Sequence, residues 1–275
     1  MKDVSFGQYF PAKSFVHNMD ARVKILAVIA YIVAVFLVKA FHFLGFAACF
    51  LFVIIATACA RVPFLKVLKS IKGILFFIIL SAILQLFFNT SGNVVFAWKF
   101  IVITDTGLLN AAFIIARISL IVLGASLLTL TTSPVEIADG IESLLSPLKV
   151  IKFPVHEFAL IMSIALRFIP TLLDETDRII KAQKARGANF ESGNIFKRAK
   201  ALIPVLIPLL ISSFRRADEL ADAMDARCYS GSKTRTKYKK MKLTWRDLIA
   251  TLVIAGLIVG IVYLNGFYIL LVGVV

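Results

Sequence analysis

The chain has 275 residues, of which 60% are hydrophobic and only 17% charged, and its mean hydropathy is +0.90. Soluble globular chains have closer to ~45–50% apolar and ~25% charged residues. The composition therefore excludes a soluble globular protein, because a fold of this size cannot bury so much apolar surface without a bilayer.

The formal net charge of +15 is unevenly distributed, since 17 of the 31 lysines and arginines lie between residues 174 and 246, against eight acids. In a soluble chain this excess would suggest nucleic-acid binding. Between hydrophobic spans it is typical of cytoplasmic loops that face anionic lipid. No nucleic-acid-binding motif accompanies the charge, so we expect no nucleic-acid partner.

Five apolar runs are candidates for transmembrane helices, because a span needs ~17–25 mostly apolar residues. In chain order they are residues 23–38, 41–60, 73–88, 108–130 and 248–272, with a polar loop at 89–106 between the third and the fourth. They predict an all-α polytopic membrane protein with about five transmembrane helices. The segment between the fourth and fifth spans predicts an additional cytoplasmic or interfacial helical module.

Basic residues predict the orientation of the chain. They cluster before the first span and between the second and third, whereas the opposite loops hold only Lys39 and Lys99. By the positive-inside rule, the N-terminus and residues 131–247 are cytoplasmic. We expect a multi-pass protein of the bacterial plasma membrane, divided into residues 1–130, 131–247 and 248–275.

The segment after residue 130 begins with the signals of an amphipathic helix. Ser133 is suited to cap a helix, Pro134 to its first position, and Glu136 to its first turn. The residues that follow predict one apolar stripe, opposite a polar face of Asp139, Glu142 and Ser143. The stripe consists of Ile137, Ile141, Leu144, Leu145 and Leu148.

Two further apolar runs, 155–170 and 201–214, each contain proline and lead into a charged helix. We expect them to lie obliquely at the inner face of the membrane.

A repeat at an offset of 41 residues is the most informative local pattern. DRIIKAQKARG begins at Asp177 and DELADAMDARC at Asp218, and both follow D-x-x-x-x-A-x-x-A-R and then a small residue. In each copy two alanines and the arginine share one helix face. Such a face permits close docking while one guanidinium reaches forward. The alternative is purely structural, because Arg near a helix C-terminus and a following Gly are both favoured there.

Five segments resemble, in order and spacing, the transmembrane T component of energy-coupling factor (ECF) transporters. They are GQYFPAKSFVHNMDARVK, TTSPVEIADGIESLLSPLK, HEFALIMSIALRFIPTLLDET, AQKARG and FRRADELADAMDARCY. The resemblance implies a non-catalytic subunit of an ATP-driven importer, with no cofactor and no metal site. It implies that this subunit links two ATP-binding-cassette ATPases to a membrane protein, the S component, which binds a vitamin or transition-metal substrate.

The resemblance also implies which residues carry this role. The ATPase-docking residues would be Ala185, Arg186, Gly187, Ala226 and Arg227, and the supporting coupling-helix residues Ala182, Ala223, Arg167 and Pro170. Cys228 stands where the family usually has Gly. Because Cys adopts a positive φ less readily, we expect the second helix end to differ slightly from the first.

Other charged residues have structural explanations. Arg117 lies inside the fourth span with no acid nearby in the sequence, and we expect it to pair structurally or to snorkel. We expect Arg167 to orient the helix junction near Pro170, and His17 and Asp20 to anchor the first helix.

Two other function classes stay open. A multi-pass enzyme would need clustered acids, histidines or a nucleophile in the spans, and a stand-alone secondary transporter would need inverted repeats with ionisable residues at the midplane.

Overall fold

A computed structural model describes residues 9–12, 14–39, 43–88, 92–98, 101–147, 155–190, 195–229 and 244–272. The chain divides into two compact units. The membrane unit comprises Gly7–Phe153 and Met241–Val275, and the α7–α8 unit comprises Met1–Phe6 and Pro154–Lys240. The predicted domain boundaries at 130 and 247 stay predictions.

Nine helices and one β-hairpin make up the described part of the chain. In order they are α1 (Ala21–Leu37), α2 (Phe43–Ala60), α3 (Phe64–Lys72), α4 (Leu75–Phe88), β1 (Val94–Trp98), β2 (Ile101–Thr104), α5 (Asp105–Thr131), α6 (Pro134–Leu144), α7 (Val155–Ala185), α8 (Ile195–Ala226) and α9 (Trp245–Val272). The all-α class of membrane protein is confirmed, with the hairpin as its one departure among the described residues.

The five predicted spans correspond to α1, α2, α4, α5 and α9. Three of them, Phe43–Ala60, Asp105–Thr131 and Trp245–Gly266, are long and apolar enough to cross a membrane on their own. At 17 residues, α1 is at the lower limit of the ~17–25 that a span needs. Apolar side chains of α2, α4 and α9 are widely exposed, as the lipid-facing surfaces of spanning helices are.

The third predicted span, 73–88, corresponds to α4, which begins at Leu75 and has 14 residues that rise only about 21 Å. Before it lies α3, a separate amphipathic helix that carries three lysines, and the two helices meet at a bend of 62°. They make a fourth candidate span if taken as one broken helix.

The predicted polar loop at 89–106 contains a β-hairpin. β1 and β2 pair antiparallel from Trp98–Ile101 to Val94–Thr104, with an irregular register between Val94 and Phe96. Their sequences, VVFAW and IVIT, consist largely of β-branched and aromatic residues, which favour strands. β2 leads directly into α5. Thr104, the last residue of β2, caps this helix, because its Oγ1 accepts from the Gly107 N–H at 3.1 Å.

The core of the membrane unit lies among α1, α2, α5 and α9. Within it, Tyr31 of α1 packs directly against Gly124 of α5, where an added Cβ would collide with the tyrosine ring. Tyr31 stacks on Phe52 and its hydroxyl donates to the Leu120 carbonyl at 3.4 Å. Gly124 is thus required by close packing, and it sets how near α5 approaches α1.

The start of α6 is confirmed, but its packing is not as predicted. Ser133 Oγ accepts from the Glu136 N–H at 3.3 Å, and Glu136 Oε2 accepts from the Ser133 N–H at 3.2 Å, which completes a capping box. The helix meets α1 through Gly140, which is buried. Ile141 of the predicted stripe is 39% exposed and Glu142 of the predicted polar face is buried. Leu148 lies outside the described residues.

Within the α7–α8 unit, the predicted apolar runs and charged helices are continuous. α7 has 31 residues and contains Pro170, while α8 has 32 and contains Pro204 and Pro208. Each proline removes one i→i−4 hydrogen bond without ending its helix. The expectation that the apolar runs lie obliquely at the membrane face stays a prediction.

Candidate functional site: the arginine ends of α7 and α8

The end of α7 forms a Schellman motif around the first repeat copy. Gly187, at φ +87°, donates its N–H to the Lys184 carbonyl at 3.0 Å. The next residue, Ala188, donates to the Gln183 carbonyl at 3.0 Å. These two bonds satisfy carbonyls that the helix leaves without partners, and they place Arg186 at the C-cap.

The end of α8 has the same pattern of capping hydrogen bonds, and the slight difference expected at Cys228 is limited to a smaller positive φ. Cys228 lies at φ +56° and donates to the Asp225 carbonyl at 2.8 Å, and Tyr229 donates to Met224 at 3.0 Å. Arg227 is therefore also a C-cap residue. The left-handed conformation is unfavourable for a residue with a Cβ by ~1–2 kcal/mol, and the pair of capping bonds maintains it here.

Both ends present small side chains and a free arginine to solvent. The four alanines of the repeat and both arginines are exposed; the alanines are Ala182, Ala185, Ala223 and Ala226. Neither Arg186 nor Arg227 makes a side-chain hydrogen bond or ion pair within the described part of the chain. A cleft of about 340 Å³ lies beside Gly187, bordered by Ala188, Asn189 and Phe190. Each helix end thus exposes two alanines and one arginine, and their role in docking stays a prediction.

The two arginines lie toward opposite ends of the α7–α8 pair. Arg216 Nη2 donates to Glu175 Oε2 at 2.9 Å, and these residues occupy equivalent positions of the two repeat copies. Farther along α7, Gln183 contacts the Pro204 carbonyl of α8, so the helices run antiparallel in this region. Each arginine is 11 residues beyond the ion pair, or about 16 Å along its helix. One partner surface at each end is the arrangement that this geometry allows.

The surroundings of the two ends carry opposite charge. Between residues 177 and 187 four basic residues accompany one acid, and the basic ones are Arg178, Lys181, Lys184 and Arg186. Between residues 218 and 228 one arginine accompanies four acids, which are Asp218, Glu219, Asp222 and Asp225. With the same backbone geometry, the first end is positive and the second negative.

Arg167 and Pro170 are not brought to either helix end. Both are exposed in the middle of α7, and Arg167 lies 19 residues, or about 28 Å, before Arg186. Their suggested role in orienting the helix stays a prediction.

A buried polar network in the membrane unit explains the N-terminal cluster and adds two residues that the sequence patterns missed. His17 Nε2 pairs with the Phe10 carbonyl at 2.8 Å, and Asp20 caps α1. Lys24, 4% exposed, donates to the His17 carbonyl at 3.0 Å. Asp247 of α9, 2% exposed, accepts from the Asp20 N–H at 2.9 Å. From the sequence alone, Lys24 was expected to snorkel at the end of the first span. Only the packing of α9 on α1 shows that this cluster joins two helices.

Arg117 has the structural pairing that was expected. Its Nη2 donates to the Val38 carbonyl at the end of α1 at 2.6 Å, and its guanidinium lies 5.7 Å from the Phe46 ring centre. Asn265 of α9 donates to the neighbouring Leu37 carbonyl at 2.7 Å. Two side chains from two other helices thus cap the C-terminus of α1.

Comparison with known proteins places these features in a family. The model of the CbiQ family, described as cobalt transport protein, matches residues 12–238. A relative from Clostridium kluyveri, named energy-coupling factor transporter transmembrane protein EcfT, is 51% identical over 253 residues, which cover 92% of this chain and 93% of the relative. Proteins with the same name from Ruminiclostridium cellulolyticum and Bacillus subtilis are 48% and 44% identical, over 91% and 94% of this chain and 93% and 98% of their own lengths.

Proposed function

The chain belongs to the CbiQ family and, within it, to the EcfT transmembrane proteins of energy-coupling factor transporters, and from this we propose that it is the subunit that couples two cytoplasmic ATPases to a substrate-binding S component. In this proposal the protein is non-catalytic and resides in the bacterial plasma membrane with its N-terminus in the cytoplasm. The complex takes up a micronutrient, a vitamin or a transition metal, whose identity the S component determines.

The observation that carries the proposal is the pair of matching helix ends on α7 and α8. Each ends in a Schellman turn, shows two exposed alanines and leaves one arginine free. The capping bonds fix the backbone next to the guanidinium, so a partner groove would meet a preorganised surface and little conformational entropy would be lost on docking. We propose that Ala185, Arg186 and Gly187 dock one ATPase, and that Ala226 and Arg227 dock the other.

The opposite charges at the two ends support two different docking grooves. A groove that complements the basic end of α7 would be acidic around its arginine site, and a groove for the acidic end of α8 would be basic. An identical groove at both ends would be electrostatically mismatched at one of them. We therefore propose that the two ATPase surfaces differ in charge, which would determine the orientation of the ATPase pair.

The apolar surface of α8 supports contact with a membrane partner. Seven large apolar residues over about three turns are 48–63% exposed, and they are Leu202, Ile203, Leu206, Ile207, Leu210, Ile211 and Phe214. A face of this size on a helix whose far end is charged is suited to lie against another membrane protein or lipid. We propose that the S component slides over this face when the ATPases close.

Charge reversal at the two arginines tests the proposal. Losing one partner of a desolvated, hydrogen-bonded charge pair costs ~2–5 kcal/mol, so R186E/R227E is expected to lose both ATPases on affinity purification from native membranes. The matched control is R215E, which reverses an exposed arginine of α8 that lies outside both charged helix ends. Both ATPases should co-purify with this control.

The single cysteine beside Arg227 allows a direct test of contact. Cys228 is exposed, and Cys59 is the other exposed thiol of the chain, so a C59S variant directs a thiol-reactive photocrosslinker to the end of α8. We expect it to capture an ATPase in the intact complex. A complex that stays intact in R186E/R227E, or a crosslink that never captures an ATPase, would overturn the docking proposal.

A further inference from the structure

The membrane unit contains a cleft of about 550 Å³ that the coupling role does not use. It is bordered by the N-terminal turn, the end of α2 and the start of α9, through Ser14, Phe15, Asn18, Ala58, Cys59, Arg61, Trp245 and Arg246. α2 and α9 are both long and apolar enough to span a membrane. α2 ends at this cleft, and α9 begins there. The cleft therefore lies at the depth where the hydrocarbon of a bilayer meets its headgroups.

Two arginines line the cleft without an acidic partner among the described residues. Arg246 lies over the Phe15 ring at 5.9 Å, and its Nε is shielded from solvent with no hydrogen-bond acceptor in the described structure. The Nε atoms of Arg22, Arg117 and Arg216 are shielded in the same way, so Arg246 is distinguished by its place in the cleft beside Arg61. The neighbouring Asp247 makes no ion pair with it in the described structure, and its two oxygens accept from the Asp20 and Thr244 N–H groups at 2.9 and 2.7 Å.

Arg61 reaches the cleft from an unfavourable backbone conformation. It follows the last residue of α2 at φ +54°, where glycine is the residue that fits without strain. Its N–H donates to the Ala58 carbonyl at 3.0 Å, and the next N–H, of Val62, donates to Thr57 at 3.4 Å. The helix end is thus a Schellman turn that carries a guanidinium at the strained position. Residues held in such conformations cluster at binding sites.

The aromatic residues of the cleft are those typical of a membrane interface. Trp245 is 64% exposed and packs edge-on against Phe15 at 5.8 Å. Tryptophan is enriched at the headgroup level of bilayers because one part of its ring is apolar and another is a hydrogen-bond donor. This combination of lipid-exposed apolar residues and cations favours an anionic lipid over a soluble anion.

We propose that the cleft binds the phosphate of an anionic phospholipid, held by the guanidinium groups of Arg61 and Arg246, with Trp245 beside the glycerol region. The C-terminal end of α2 opposes an anion with about half a unit of negative charge, whereas the two arginines supply two full positive charges. The volume leaves room for a headgroup as well as its phosphate. Bound lipid would link the end of α2 to the start of α9.

The chain has two tryptophans, so a W98F variant leaves Trp245 as the only one and makes its fluorescence a probe of the cleft. The purified protein in a neutral detergent is titrated with short-chain phosphatidylglycerol, with phosphatidylcholine of the same chain length, and with inorganic phosphate. We expect saturable quenching or enhancement by phosphatidylglycerol only. R61Q/R246Q should bind it roughly tenfold or more weakly, and R61K/R246K, which keeps both charges, should recover part of that loss.

The matched control is K69Q/K72Q, which removes the same charge from α3 without touching the cleft. It should bind phosphatidylglycerol as the parent does, and thermal unfolding checks that each variant is folded. Equal binding of the two lipids, equal losses in the arginine and lysine variants, or no recovery in R61K/R246K would overturn the proposal. Competition by millimolar inorganic phosphate would assign the cleft to a soluble anion instead.

Discussion

The cap that Arg117 places on α1 permits a quantitative prediction. α1 ends at Leu37, and its last carbonyls have no partner within the helix. Arg117 Nη2 donates to Val38 at 2.6 Å. In R117M, which keeps a long apolar side chain, that carbonyl loses its donor in a region without water to replace it.

The expected loss follows from three effects. A hydrogen bond from a charged donor contributes ~1.5–3 kcal/mol, and a cation at a helix C-terminus adds ~0.3–1 kcal/mol. Removing a half-buried guanidinium, whose Nε has no partner in the described structure, offsets part of this. The net expectation is a decrease of about 1–3 kcal/mol in the free energy of unfolding.

Unfolding in mixed micelles with increasing dodecyl sulfate measures this difference. N265L removes the neighbouring cap, which is more exposed, so a smaller loss of about 1 kcal/mol is expected. Substrate uptake in R117M should decrease only in proportion to the amount of folded protein. An R117M variant that is as stable as the parent but inactive in uptake would refute the structural explanation and make Arg117 a functional residue.

Two further predictions concern the helix ends of the α7–α8 unit. C228G removes the left-handed strain and should stabilise the last turn of α8 by up to about 1 kcal/mol. G187A should destabilise the end of α7 by a similar amount. Because a Cβ at position 187 would meet nothing within 4 Å, this loss would come from the backbone conformation alone. Hydrogen exchange of the last-turn amides measures both, and equal exchange in the two variants would contradict the assignment. D222K/D225K makes the negative α8 end positive while keeping Arg227, so the ATPase crosslinked through Cys228 should be lost at low salt. Retention of both ATPases would refute charge matching.

Local features of the fold and of the candidate site were predictable from sequence because their causes are local. The apolar runs of α2, α5 and α9 place these helices to within about three residues, since run length and a bilayer's thickness determine a span. The start of α6 at Ser133 was predicted because helix capping depends on neighbouring residues. The repeat at 41 residues identified both arginine ends, because a Schellman turn depends on neighbouring residues only.

The hairpin and the separate helix α3 before α4 were not predicted. VVFAW and IVIT have strand-forming residues, but the span pattern on either side favoured a plain loop. The sequence around Gly73 is apolar and includes a favourable C-cap, so continuation and interruption of the helix differ little in local energy. Packing of α3 and α4 on α5 decides between them.

By itself, the sequence determined that this is a helical membrane protein, where its main spans lie, and that two helices end in equivalent alanine and arginine faces. Composition and periodicity carry that information, because burial in lipid and helix capping act on contiguous residues. Only the tertiary structure decided that Arg117 and Asn265 cap α1, that Asp247 joins α9 to α1, and that the two arginine ends lie toward opposite ends of an antiparallel pair. These partners are 21 to 228 residues apart, and no local pattern specifies which helices pack together.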